Sequence, residues 1–194
     1  MDYPLNLSFK IIALAPQLSV IDAHDNLVFY VRQKLLKIKE AVTVYADTQQ
    51  TQPLYTINAD RILDWSARYN FADMQGNNLG AVKRQGMKSL WKSHYDILDG
   101  DTPVMTIQEE NPWVKIIDGL VGEIPILGMF TGYLFHPAYL VSRTDGTVVM
   151  RLEKKPAFLE GKFVMECKMP LPEKEEQQVL LSLLMMLLLE RSRG

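Results

Sequence analysis

Near its C-terminus the chain runs through Val179–Leu189 almost entirely as leucine and methionine, interrupted only by Ser182. Leu and Met are strong helix formers and only Val179 is β-branched, so the segment reads as a helix. Leu171-Pro172 stops the strand before it. Glu173, Glu175 and Glu176 suit the positive end of a helix dipole, and Arg191 and Arg193 suit the negative end. A surface helix shows an apolar stripe, whereas one that is apolar all round lies inside protein or membrane. At 1.5 Å per residue, Val179–Leu189 is ~16 Å long, about half a bilayer core but close to the ~17–20 Å of a five- or six-residue strand. A helix enclosed by β-structure is the reading, with a membrane tail anchor as its rival.

The rest of the chain supplies that β-structure. Trp65, Ala67, Tyr69 and Phe71 alternate with Asp64, Ser66, Arg68 and Asn70, as one buried and one wet face of a strand require. Trp91, Ser93, Tyr95 and Ile97 alternate in the same way, as do Phe163, Met165 and Cys167. Turn signals part these runs: Gln75-Gly76-Asn77, Asp99-Gly100 and Asp145-Gly146. Short strands every ten or so residues, with no βαβ rhythm and no repeat, predict an antiparallel sandwich or barrel, with residues 1–194 expected to form a single domain. Asn111-Pro112-Trp113 is placed to start a short helix to about Leu120.

Composition removes several function classes. A net charge of −2 and a pI of about 5.9 leave no global basic field for nucleic acid. Cys167 is the single cysteine, and no secretory segment follows Met1-Asp2-Tyr3, so the expected location is cytoplasmic, with peripheral membrane attachment open. His24, His94 and His136 lie far apart, so neither a metal nor any other cofactor is expected. The apolar stretch Ile116–Val141 is broken by Asp118, Glu123, Pro125, His136 and Pro137, which argues for strands and turns rather than a membrane span.

The segments Val31–Leu36, Lys39–Ala41, Leu54–Ile57, Ala59–Asp64, Ser66–Tyr69, Leu79–Arg84 and Gly86–Trp91 together resemble the LURP-one-related family. Its superfamily also holds tubby C-terminal domains and phospholipid scramblases. The resemblance extends through Gly128–Val141 to the final Leu-Met-rich segment. It implies a mainly β fold, a closed antiparallel barrel of about a dozen strands around a hydrophobic C-terminal helix. Tubby domains bind phosphoinositide headgroups and scramblases are associated with calcium-dependent lipid movement. The cysteine-rich palmitoylation stretch of scramblases is absent, and Asp99-Gly100-Asp101 does not continue into a calcium loop.

Two stretches are basic and free of carboxylates: one holds Arg32, Lys34, Lys37 and Lys39, the other Lys83, Arg84, Lys88 and Lys92. Brought together on neighbouring strands they form a cationic patch for phosphates or an anionic leaflet. Left apart they are solvated strand faces whose lysines guard against edge pairing. Asp60, Arg61, Asp64 and Arg68 suit a structural ion-pair network, since two arginines hold both carboxylates ionised. Lys154-Lys155, beside Glu153 and before Pro156, reads as a loop charge pair. No catalytic residues are expected: there is no G-x-S-x-G elbow, and Cys167 faces inward. The leading expectation is a non-enzymatic module for an anionic lipid headgroup or similar phosphate-bearing ligand. The alternative is a protein-interaction barrel with no lipid ligand.

Overall fold

The computed structural model describes residues 1–10, 17–32, 41–60, 67–85, 94–110, 137–157 and 160–191. Twelve strands follow one another round a closed barrel: β1 (Leu5–Lys10), β2 (Gln17–Ile21), β3 (Leu27–Arg32), β4 (Val42–Tyr45), β5 (Pro53–Ala59), β6 (Arg68–Asp73), β7 (Asn78–Arg84), β8 (His94–Asp99), β9 (Thr102–Glu109), β10 (Ala138–Arg143), β11 (Val148–Lys155) and β12 (Glu160–Cys167). Each strand pairs antiparallel with its sequence neighbours, and β12 closes on β1 with Leu5 facing Met165 and Lys10 facing Glu160. The closed, mainly β fold with a C-terminal helix is the one expected. Residues 111–120, proposed as a short helix, lie outside the described residues.

Alternation along each strand decides which side chains fill the barrel. Leu5, Leu7 and Phe9 on β1, Tyr95 and Ile97 on β8, and Met150 and Leu152 on β11 all join one core cluster. Down its middle runs α1 (Glu173–Arg191), buried at every position from Gln178 to Leu189. No face of that stretch meets water, which is why it has no polar stripe. Its ~18 Å matches strands of six to eight residues once they are tilted by ~40° to the barrel axis.

Both ends of α1 are pinned by the wall. Where it enters, Tyr3 OH donates to Glu176 Oε1 at 2.8 Å, Arg143 Nη2 to Glu175 Oε2 at 2.6 Å and Lys174 Nζ to Asp99 Oδ2 at 2.7 Å. Burial and the adjacent Glu176 push the Tyr3 phenol far above its ordinary pKa, so it stays a donor. Where α1 leaves, Tyr95 OH donates to Glu190 Oε1 at 2.7 Å, and the Arg191 guanidinium sits 5.4 Å from the Phe9 ring centre. Ser182 Oγ is buried with no hydrogen-bond partner among the described residues. A stranded buried hydroxyl costs about 1–3 kcal/mol, so Ser182→Ala should raise the melting temperature. A lowered one would mean the hydroxyl is satisfied after all.

The entry end is sealed by short turns of one design. In Asp22–Asn26, Asp73–Asn77 and Arg143–Thr147 the first N–H reaches the fifth carbonyl and the fourth N–H the first carbonyl. The fourth residue has positive φ each time: Asp25 at 62°, Gly76 at 85° and Gly146 at 88°. This is a type I turn closed by a left-handed residue, and the strand register shifts beside each one. Between β8 and β9 the loop residues are Gly100 and Asp101, one step on from the expected Asp99-Gly100. Asp73 Oδ1 accepts the N–H groups of Gln75 at 2.9 Å and Asn77 at 2.8 Å, and Asp22 Oδ1 does the same for His24 and Asn26.

These bonds lower both carboxyl pKa values, with the Asn77 and Asn26 side-chain amides the leading causes. A carboxyl depressed on folding stabilises the protein above its unfolded pKa of about 4, and that stability is lost as pH falls through the folded value. Asp73→Asn should therefore lower the melting temperature at pH 7 and flatten its decline below pH ~4. A melting series over pH that superimposes on wild type would refute this role.

Candidate anion-binding surface

A helix fills the barrel, so the outer wall and the two ends remain for a ligand. Strand parity sorts the predicted basic residues. Phe29 and Val31 join the core, which turns Arg32 outward and leaves it exposed at the end of β3. Val82 joins the core, so Lys83 points out and is exposed, while Arg84 takes the inner side and is half-buried. The pair Lys83-Arg84 is thus split between two faces. Lys34, Lys37, Lys39, Lys88 and Lys92 lie outside the described residues.

Arg32 and Lys83 share an end of the barrel, the exit end of α1, but β4, β5 and β6 stand between their strands. Adjacent strands are ~4.8 Å apart, so the two do not merge into one local patch. The neighbours of Arg32 come from elsewhere in the chain. Gln17 faces Lys10 on one side and Arg32 on the other, placing those two cations ~10 Å apart on the outer wall. Lys162 faces Ser8 and so lies diagonal to Lys10, at ~7–8 Å. Lys10 and Lys162 are exposed, and neither they nor Arg32 nor Lys83 forms an ion pair among the described residues. Lys10 and Lys162 lay beyond a reading of local stretches, because barrel closure alone joins positions so far apart in sequence.

Other charges on the wall are already spent. Arg151 bonds Glu110 and Glu153, and Lys155 bonds Glu153 at 2.9 Å. Lys155 and Arg151 hold the Glu153 carboxyl below its usual range, so this set is a structural network. Lys154 and Lys155 belong to β11, not to a loop, because Glu153–Lys155 stays in register with Lys162–Val164. Arg61 and Asp64 lie outside the described residues. Arg68 pairs with Asp101 across the wall, while the Asp60 carboxylate accepts the Arg68 main-chain N–H at 3.0 Å. Between Asp60 and Arg68 the contact is thus to the main chain, and the Arg68 guanidinium is committed to Asp101.

The entry end has the opposite character. Its turns carry Asp22, Asp25, Asp47, Asp73, Asp99, Asp101 and Asp145, and α1 adds Glu173, Glu175 and Glu176, against Arg143, Lys168 and Lys174. The chain as a whole carries only −2, so the remainder of the molecule is net positive. Shallow clefts of about 330 and 420 Å³ flank the helix start, one lined by Tyr55, Met74 and Gln177, the other by Met105, Arg143 and Glu175. Asp2, Asp22 and His24 come close enough to hold a cation, but Asp22 Oδ1 already accepts three N–H groups. Asp99 and Asp101 are committed to Lys174 and Arg68. Cys167 is half-buried on β12, its thiol 3.0 Å from the Met169 carbonyl. Among the described residues, no helix is long and apolar enough to cross a membrane.

Fold and surface together define a class: a helix-filled β-barrel that is acidic at one end and edged with exposed cations at the other. Residues 27–166 match the family model described as LURP-one-related, and the chain belongs to that family. The match runs from β3 through most of β12, and the enclosed-helix barrel is consistent with the link to the tubby-like superfamily. No curated protein matches the chain, and no solved structure does.

Proposed function

We propose that this protein is a non-enzymatic binding module for an anionic, phosphate-bearing ligand such as a phospholipid headgroup. The observation that carries the reading is the set of exposed cations at the exit end with no ion-pair partner among the described residues, Arg32 and Lys83 among those expected. Lys34, Lys37 and Lys39 follow Arg32 directly in sequence, and Lys88 and Lys92 follow Arg84, so they belong to the same reading. A Lys or Arg held near an anionic leaflet gains about 1 kcal/mol, so several together give useful affinity without a deep pocket. Cosedimentation with vesicles tests it. Wild type should pellet with vesicles containing anionic lipid and not with phosphatidylcholine alone. Arg32→Glu with Lys83→Glu should abolish pelleting while leaving the melting temperature unchanged. Equal, negligible binding to both vesicle types refutes the reading and favours a protein-interaction barrel.

A further inference from the structure

We propose that the barrel docks end-on, standing on an anionic bilayer with the exit end of α1 downward and the acidic turns pointing away. The proposal rests on the anionic-ligand reading above and adds to it the orientation and the kind of surface. Its basis is where the cations sit round the ring. β1 and β7 are six places apart in a closed ring of twelve strands, so Lys10 and Lys83 stand on opposite walls. Twelve strands ~4.8 Å apart and tilted by ~40° make a barrel roughly 24 Å across. A single phosphate cannot bridge that width. A bilayer touching the wall side-on would meet one of the two sectors and leave the other in solvent. Lys10 and Arg32 end their strands, and Lys83 and Lys162 lie within two residues of the same end of theirs, so a plane laid across the exit end faces all four at once.

The charge of the other end selects the same pose. Among the described residues the exit end also holds Asp60, Glu109, Glu110, Glu153, Glu160 and Glu190, but its cations outnumber them while the entry end is net acidic, so an anionic leaflet turns the exit end toward itself before contact. The C-terminus of α1 contributes only about −0.5 at the exit end, and Arg191 lies beside it.

Two readouts on the full-length chain test the pose, using vesicles of phosphatidylcholine with anionic phosphatidylserine or a bisphosphorylated inositol lipid. In a Cys167→Ser background, a polarity-sensitive dye is placed at Gln17→Cys, between Lys10 and Arg32, or at Gln75→Cys, in an entry-end turn. The Gln17→Cys dye should shift to the blue on binding and the Gln75→Cys dye should not move. Separately, Lys10→Glu and Lys83→Glu, on opposite walls, should each weaken binding about tenfold with unchanged melting temperature. If wild type binds but only one of these reversals matters, or both dyes shift, the contact is side-on and the pose is wrong while the function stands. Binding to soluble inositol hexakisphosphate without binding to vesicles would overturn the bilayer and keep the phosphate chemistry. Binding to neither would remove the function itself.

Discussion

Leu184→Asp should leave no folded protein. Leu184 is 1% exposed, in the middle of the buried run of α1, and its neighbours Leu183 and Met185 are fully buried. Among the described residues no lysine or arginine is buried, so a carboxylate in this apolar and aromatic core meets no counter-ion. Ionised, it loses its hydration; protonated, it still strands a polar group and leaves the leucine volume badly filled. The expected cost exceeds about 5 kcal/mol, comparable with the whole stability of an ordinary domain. Leu184→Ala separates packing from charge: it deletes the apolar volume alone and should cost about 2–5 kcal/mol, leaving a cooperative but earlier transition. Circular dichroism melts and soluble yield report both. A soluble Leu184→Asp protein melting like wild type would show that α1 can leave the barrel at little cost.

That helix was also the most legible part of the chain. All-round apolarity over Val179–Leu189, acids before it and arginines after it are local signals, and a buried helix in a β-tube needs nothing else. Strands were legible where one face is buried and the other wet. Tyr95 and Ile97 are fully buried as their alternation requires, and so is Met165, while Phe163 and Cys167 on the same face are only half-buried. Turns were legible where glycine supplies positive φ, at Gly76, Gly100 and Gly146. They were not where Asp25 and Gln50 take that conformation, because those residues give no composition signal. Asp25 is tolerated because the Asp22 carboxylate organises its turn through His24 and Asn26.

The candidate surface was legible only in part, for a physical reason. A basic stretch read along the chain mixes residues that parity sends to opposite faces, as Lys83 and Arg84 show. The real neighbours of Arg32 on the wall, Lys10 and Lys162, come from the first and last strands. Register between distant strands is set by closure of the whole ring, which no local window contains.

Gly80→Ala should be the most damaging single-methyl change in the wall. Gly80 sits on β7 at φ +123°, a conformation that residues with a Cβ rarely adopt. It faces α1, and a Cβ built there would lie 2.6 Å from the Leu98 carbonyl oxygen and 2.8 Å from Gln178 Nε2. The glutamine could swing aside, but it is 2% exposed and closely surrounded. Leu98 is main chain of β8, paired through Ala81, and cannot retreat without disturbing the β7–β8 ladder. Backbone strain of about 1–3 kcal/mol and overpacking of similar size add, so a loss of about 3–5 kcal/mol is expected, or roughly 10 °C in melting temperature. Gly146→Ala makes the control. It too has positive φ, at +88°, but an added Cβ meets nothing within 4 Å, so only the strain remains and the loss should be smaller by half or more. Equal losses at the two glycines would mean that backbone conformation alone, and not the close approach of the Leu98 carbonyl and Gln178, explains the glycine at position 80.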